Sequence, residues 1–263
     1  MTLQDHMPLD LGRIAIGGKI YGFFVRTKAE PGAMARILLA ASKFNLTIVN
    51  IYNSTPAKRG LPASFLVFYD FTSSNVTPEE VKRAMESAVN NTVVEVIEPL
   101  LPGVIVDTKH YPLETLGERA MIFGEALLKG WFIGVRKRFG SGGEAFLYYE
   151  GYEAGLEIYD TYSRLGVSRE NMWSMFSATL MAIGAARRVD VEPPSESSQP
   201  LLVRVYGNME CELGRNSGKL FSQFLRGAIA GFASKVTGRD VVVVETKCIA
   251  KGDSYCEFEV SAV

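Results

Sequence analysis

An α+β chain of two domains is predicted by three features of these 263 residues. Segments of strand and helix period alternate in the order βαββαβ across residues 19–99. A stretch holding Pro102, Gly103 and Pro112 then breaks the pattern over residues 100–117, which reads as a connector. Residues 118–263 carry long helical periodicities and close on a valine-rich hairpin, predicting a mixed α/β domain with an antiparallel sheet. Residues 1–18 read as an N-terminal tail.

In the first domain, Tyr21 to Thr27 alternates like a strand. The turn Lys28-Ala29-Glu30-Pro31-Gly32 leads into a helix, with Pro31 at its start and Met34, Ile37, Leu38 and Ala41 on its apolar face. Leu46 to Asn53 is a second strand, Ser54 to Pro62 a loop, and Ser64 to Phe71 a third strand. Thr77-Pro78-Glu79-Glu80 starts another helix: a threonine cap, proline first, then acids in the first turn. Thr92 to Glu98 completes the set, and the order is the split ferredoxin-like arrangement. With its proline–glycine turn, Lys19 to Pro99 resembles an ACT domain, a small-molecule sensing module. The resemblance implies an amino-acid ligand near Gly32; the residues alone leave open a plain role in letting the helix start tightly.

The second domain is expected to begin with a short strand at Arg119 to Phe123 and a helix from Gly124 carrying Leu127, Leu128, Trp131, Phe132 and Val135. The run Arg136-Lys137-Arg138 complements that helix's dipole rather than marking a nucleic-acid surface. Gly140 to Gly143 lacks the lysine of a phosphate loop and reads as a connector between helices. Glu144 to Gly155 and Gly218 to Lys235 each place two glycines four apart on one face, Gly151 with Gly155 and Gly227 with Gly231, which offers a self-complementary surface for pairing. A further helix spans about Arg169 to Arg187, a loop Val191 to Pro200, and a strand Leu201 to Tyr206. Trp131, Phe132, Tyr148, Tyr149, Tyr152, Met172, Trp173 and Phe176 have few polar companions, the lining of an apolar or aromatic ligand pocket or of an ordinary core.

Two of the three cysteines, Cys248 and Cys256, flank the terminal turn. A two-residue Gly252-Asp253 loop would point their thiols to opposite faces. A three- or five-residue loop would bring them to one face, where they could share a metal, pair as a disulfide or pack as small hydrophobes. Glu245 joins them only if a bulge re-aims it.

This domain is similar to the 4-vinyl reductase (4VR) family. The matching residues are Gly143-Glu144-Ala145, the run from Tyr149 to Gly155, the run from Arg226 to Phe232, Glu245 to Cys248, Gly252-Asp253 and Cys256 to Phe258. Relatives include sensing halves of regulators of aromatic catabolism, proteins linked to bacteriochlorophyll synthesis and vesicle-tethering subunits. The resemblance implies a zinc ion held by Glu245, Cys248 and Cys256. The family's other cysteine lies in the helix before the hairpin, which has none here; Cys211, just upstream, is the substitute.

A net charge of −1 gives no electrostatic reason to expect direct nucleic-acid binding. Three cysteines make no disulfide framework, and no apolar run is long enough to cross a bilayer, so a cytoplasmic protein is expected. With only His6 and His110, no Ser-His-Asp catalysis is expected, and neither a Rossmann fingerprint nor a P-loop is present. The expected function is a homodimeric intracellular sensor of a hydrophobic or aromatic molecule rather than an enzyme. The alternatives are a ligand-free assembly or tethering scaffold and an accessory component of a reductase.

Overall fold

The computed structural model describes residues 9–54, 58–196 and 199–263; His6 lies outside them. The chain divides between Met121 and Ile122 into two units.

The N-terminal unit runs β1 (Ile14–Ile16), β2 (Ile20–Lys28), α1 (Ala33–Ser42), β3 (Thr47–Asn53), β4 (Pro62–Asp70), α2 (Pro78–Ala88), β5 (Val93–Ile97), β6 (Val104–Val106), β7 (Leu113–Thr115) and β8 (Glu118–Ala120). Its main sheet has the order β3-β4-β2-β5 with every neighbour antiparallel. Strand alternation sends Phe23, Val25, Phe65, Val67 and Tyr69 to one face, where they pack with Ile37 and Ala41 of α1 and Val81 and Met85 of α2. The α2 start carries a complete capping box between Thr77 and Glu80. Helix α1 begins two residues later than its proline suggests, because Gly32 takes a left-handed conformation (φ 76°) at the N-cap.

Two expectations are corrected on the sheet's other face. The tail and the connector are not loose: Ile14–Ile16 of the one pairs with Val104–Val106 of the other. Ile105 is fully buried against Ile20, Leu66, Phe68 and Ile97. The apolar residues of that face need a cover, and β6 supplies part of it. The stretch from 100 to 117 therefore belongs to the first unit rather than linking two.

The C-terminal unit runs α3 (Glu125–Leu128), a π-helical turn (Lys129–Gly134), α4 (Val135–Phe139), α5 (Ser141–Arg164), α6 (Met172–Ala182), β9 (Arg188–Glu192), β10 (Leu201–Tyr206), α7 (Met209–Leu213), α8 (Gln223–Thr237), β11 (Val241–Lys247) and β12 (Cys256–Ala262). Its antiparallel sheet has the order β11-β12-β10-β9. Val203, Val205, Val243, Phe258 and Val260 meet Ile229, Phe232 and Ala233 of α8 in one core.

The expected glycine connector at 140–143 is instead the start of α5, a 24-residue helix. Gly143 lies so close to Val135 that an added Cβ would sit 2.7 Å from its carbonyl oxygen. The glycine pairs, read as a surface between chains, are used within this one. A Cβ at Gly227 or Gly231 would lie 2.0 Å from the carbonyl of Tyr148 or Tyr152, and one at Gly151 would lie 2.0 Å from that of Phe224. Helices α5 and α8 thus touch backbone to backbone.

Candidate functional site

Three separated pieces of chain converge at one end of the C-terminal sheet. Asn208 follows β10 and caps α7, its Oδ1 accepting from Glu210 N at 3.2 Å, and the short helix sets Cys211 facing inward. Ser222 precedes α8. The third piece is the hairpin, and here the expected geometry is corrected. Neither a two-residue nor a three-residue loop joins the strands: β11 ends at Lys247, β12 starts at Cys256, and the eight residues between them form a compact turn. Within it, Cys248 O accepts from Lys251 N and Asp253 N, and Cys248 N donates to Asp253 Oδ2. The register shifts between Glu245 and Lys247, so the strand bulges where Glu245 must turn.

The outcome is a buried cluster of Cys211, Glu245, Cys248 and Cys256 whose donor atoms all lie within 4.8 Å of one another. The three thiols are free and fully buried. Cys248 and Cys211 sulfurs are 3.3 Å apart. Asn208 Nδ2 donates to Cys211 Sγ at 3.3 Å and to Cys256 Sγ at 3.6 Å; Ser222 Oγ lies 2.8 Å from Cys211 Sγ, and Ser222 N donates to Glu245 Oε2 at 3.1 Å. Hydrogen bonds from Cys211 and Cys248 pull the Cys256 thiol down to about 4, and the same contacts hold Cys211 well above its usual range. Burial pushes the Glu245 carboxyl up to about 8. Its Oε1 is buried with no hydrogen-bond partner among the described residues, a costly condition that a cation would relieve. Three sulfurs and a carboxylate oxygen are a donor set suited to tetrahedral zinc.

Beside the cluster, Glu210 is 2% exposed and holds the first turn of α8. Its carboxylate accepts from Gln223 N, Phe224 N and Leu225 N at 2.9–3.1 Å. Burial raises its pKa against the pull of Arg136, which reaches it at 2.5 Å. Arg136 also donates to Phe132 O and Phe221 O and lies 3.9 Å from the Phe221 ring centroid. Sequence reasoning placed Arg136 among exposed capping cations, and it missed Glu210, Asn208 and Ser222. The one available signal was Asn208-x-Glu210-Cys211, a capping residue and an acid set against a cysteine.

The eight candidate pocket residues do not form a single ring cluster. Trp131 stacks on Phe132 (5.6 Å, 7°), and both meet Phe224. Tyr148 contacts Tyr149 and Tyr152, with Arg226 over the Tyr148 ring; Tyr149 is exposed. Trp173 and Phe176 pack on Phe232, and Met172 is buried in the same core. Sequence spacing placed these rings on common helix faces but could not show that α8 stands between the faces. In the N-terminal unit, Gly32 borders a cleft of ≈ 420 Å³ lined by Lys28, Glu30, Pro31, Met34 and Arg59 among others.

This geometry defines a mixed α/β module built around a buried thiol–carboxylate cluster. Residues 201–262, which supply all four cluster residues, match the vinyl-4-reductase (4VR) domain. The chain is 29% identical over 180 residues to an uncharacterized protein of Methanocaldococcus jannaschii, covering 68% of this chain and 87% of that one. A second uncharacterized protein of that organism is 25% identical over 152 residues, with 57% and 83% covered. Similar solved structures include the phenol-responsive sensory domain of the transcription activator PoxR with phenol (TM-score 0.45, 17% identity, 56% of this chain and 78% of that one). A vinyl-4-reductase family protein from Methanocaldococcus jannaschii gives 0.39 at 19% identity, with 56% and 86% covered. A trafficking protein particle complex subunit 3 from Naegleria fowleri covalently bound to palmitic acid gives 0.39 at 16%, with 52% and 92% covered. No helix among the described residues is long and apolar enough to cross a membrane.

Proposed function

We propose that this chain is a cytoplasmic small-molecule-binding regulatory protein whose 4VR unit is locked by a structural zinc ion. The reading is carried by one observation: four ligand-type side chains from separate elements meet, buried, with donor atoms within 4.8 Å. Cys211, Cys248, Cys256 and Glu245 would hold the ion. A closed set of four leaves no position for water, so the metal would contribute folding free energy rather than chemistry.

The hydrophobic or aromatic ligand is assigned beside the π-helical turn at Lys129–Gly134. Such turns recur at functional sites, and this one presents Trp131 and Phe132 against the start of α8. The N-terminal unit is read as a ferredoxin-like, ACT-like module; its β3-β4-β2-β5 order with both helices on one face supports this. Lys28, Glu30 and Arg59 give its cleft charges of both signs, suited to an amino acid's carboxylate and ammonium. A homodimer belongs to the reading, with exposed Val242 and Val244 on the edge strand β11 as the surface in place of the glycine faces.

Elemental analysis of protein purified without chelator tests the metal: about one zinc per chain is expected, and less than about half an equivalent overturns it. Thermal-shift titration with phenols and fatty acids tests the ligand; no shift at any concentration removes that assignment.

A further inference from the structure

The N-terminal unit contains a second constellation, remote in sequence from the thiol cluster and unused by the function above. Ser54 Oγ lies 2.8 Å from His110 Nε2, and His110 Nδ1 lies 2.8 Å from Asp107 Oδ2. The Asp107 side chain is 1% exposed. Its Oδ1 accepts from Lys109 N (2.9 Å) and His110 N (3.2 Å), and Arg13 sits 3.1 Å from Oδ2 while also donating to His110 O. Burial works against the charge on Asp107, but these donors outweigh it and hold the carboxyl below its ordinary range.

The partners fix the proton positions. An ionised Asp107 only accepts, so His110 Nδ1 must carry the ring proton toward it. In the neutral imidazole Nε2 is then the acceptor, and Ser54 must donate. Ser64 Oγ in turn donates to Ser54 Oγ at 2.6 Å. The ring is held by Phe24 and Tyr52, at centroid distances of 5.7 and 6.4 Å. A nucleophile, a base and an orienting anion therefore stand in the order that acyl transfer requires, although the histidine count alone argued against it.

We propose that Ser54, His110 and Asp107 form an acyl-transfer site for short acyl esters. The His110 side chain is 15% exposed and Ser54 half-buried, so the reacting pair is reached from solvent, which favours short acyl groups over chains needing a tunnel. Arg26 pairs with Ser64 across β2 and β4 and lies over the Phe24 ring that His110 also touches. It supplies positive charge on this face for a carbonyl oxygen that becomes negative. In the first step Ser54 Oγ bonds to the acyl carbon, its proton passes to His110 Nε2 and then to the departing alcohol as the ester C–O bond breaks. In the second, water gives a proton to His110, its oxygen displaces Ser54 from the acyl carbon, and the proton returns to Oγ. The sum is ester plus water giving acid plus alcohol, with no oxidant or reductant. Ser54 and His110 are the catalytic residues; Asp107 and Arg13 position the ring.

The test uses the full chain with a fluorophosphonate probe and peptide mapping, beside p-nitrophenyl acetate hydrolysis. Label on Ser54 of the wild-type protein is expected. Labelling and hydrolysis should fall at least about 100-fold in Ser54→Ala and His110→Gln while their melting curves stay two-state. Asp107→Asn should lose rate with little change in KM. Wild-type protein left unlabelled at Ser54 overturns the proposal without any variant having to fold. So does label retained at the wild-type rate in His110→Gln, which would mean the imidazole serves as a structural latch only.

Discussion

Gly227→Ala is the most searching substitution for this fold, because local preference and packing make opposite predictions. In a helix interior, alanine is favoured over glycine by up to about 1 kcal/mol. At Gly227, however, the new Cβ would meet Tyr148 O at 2.0 Å, with Tyr148 C and Tyr152 N at 2.9 Å. Ordinary contact begins near 3.4 Å, so the shortfall is 3.4 − 2.0 = 1.4 Å. All three atoms are backbone, and no rotamer change can yield; α5 and α8 must part. Overpacking strain of this kind costs about 1–3 kcal/mol and occasionally more, so a net loss of about 2 kcal/mol remains after the helix gain is offset. The readout is clean, since both tryptophans, Trp131 and Trp173, lie in the C-terminal unit and their fluorescence follows its urea unfolding alone. With m near 2 kcal/mol/M the midpoint should drop by about 1 M. Gly142→Ala, where nothing lies within 4 Å, should leave the midpoint unchanged or raise it. Gly227→Ala as stable as the wild type would refute the backbone contact and return the glycine faces to the surface.

Glu210→Ala should cost about 3–5 kcal/mol in the same assay, since it strands the buried Arg136 and frees three N–H groups of α8; a loss below about 1 kcal/mol would mean the pair is solvated. Tyr69→Phe should stabilise the N-terminal unit by about 1 kcal/mol, because the hydroxyl is buried with no partner among the described residues. Burial pushes the Tyr69 hydroxyl up to about 12, so the folded state favours its neutral form. That stability is complete below about pH 10 and drains away toward pH 12, and far-ultraviolet circular dichroism should show Tyr69→Phe unfolding at higher pH than the wild type. Thr77→Ala removes both halves of the α2 capping box and should cost about 1 kcal/mol, read as a lower melting temperature; no change would show that the cap is replaced by solvent.

The elements that sequence reasoning found are those with a period to read. The strands and helices of the main N-terminal sheet follow from alternation, the Thr77 cap and the Pro31-Gly32 turn. Three-residue strands such as β1 and β6 have no period, and only the uncovered face of Leu66 and Phe68 explains why they pair. The cluster residues were legible because cysteine is scarce, but their geometry was not. An eight-residue turn in place of a tight loop and a bulge after Glu245 are products of tertiary packing. The aromatic residues were misjudged as one group because spacing within a helix says nothing of a second helix set between two of its faces. Ser54 and His110 lie 56 residues apart in ordinary loop sequence, where nothing local links them.

Glu210 and Cys211 are neighbours on one turn of α7, and that adjacency has a spectroscopic consequence. A sulfur drawn toward a bound ion moves the turn that carries it, and the same turn holds the carboxylate to which Gln223, Phe224 and Leu225 donate. The exchange of those three amide hydrogens with deuterated solvent is therefore a local gauge of the state of the thiols. It can be followed at single-residue resolution in protein that carries no label, probe or substitution.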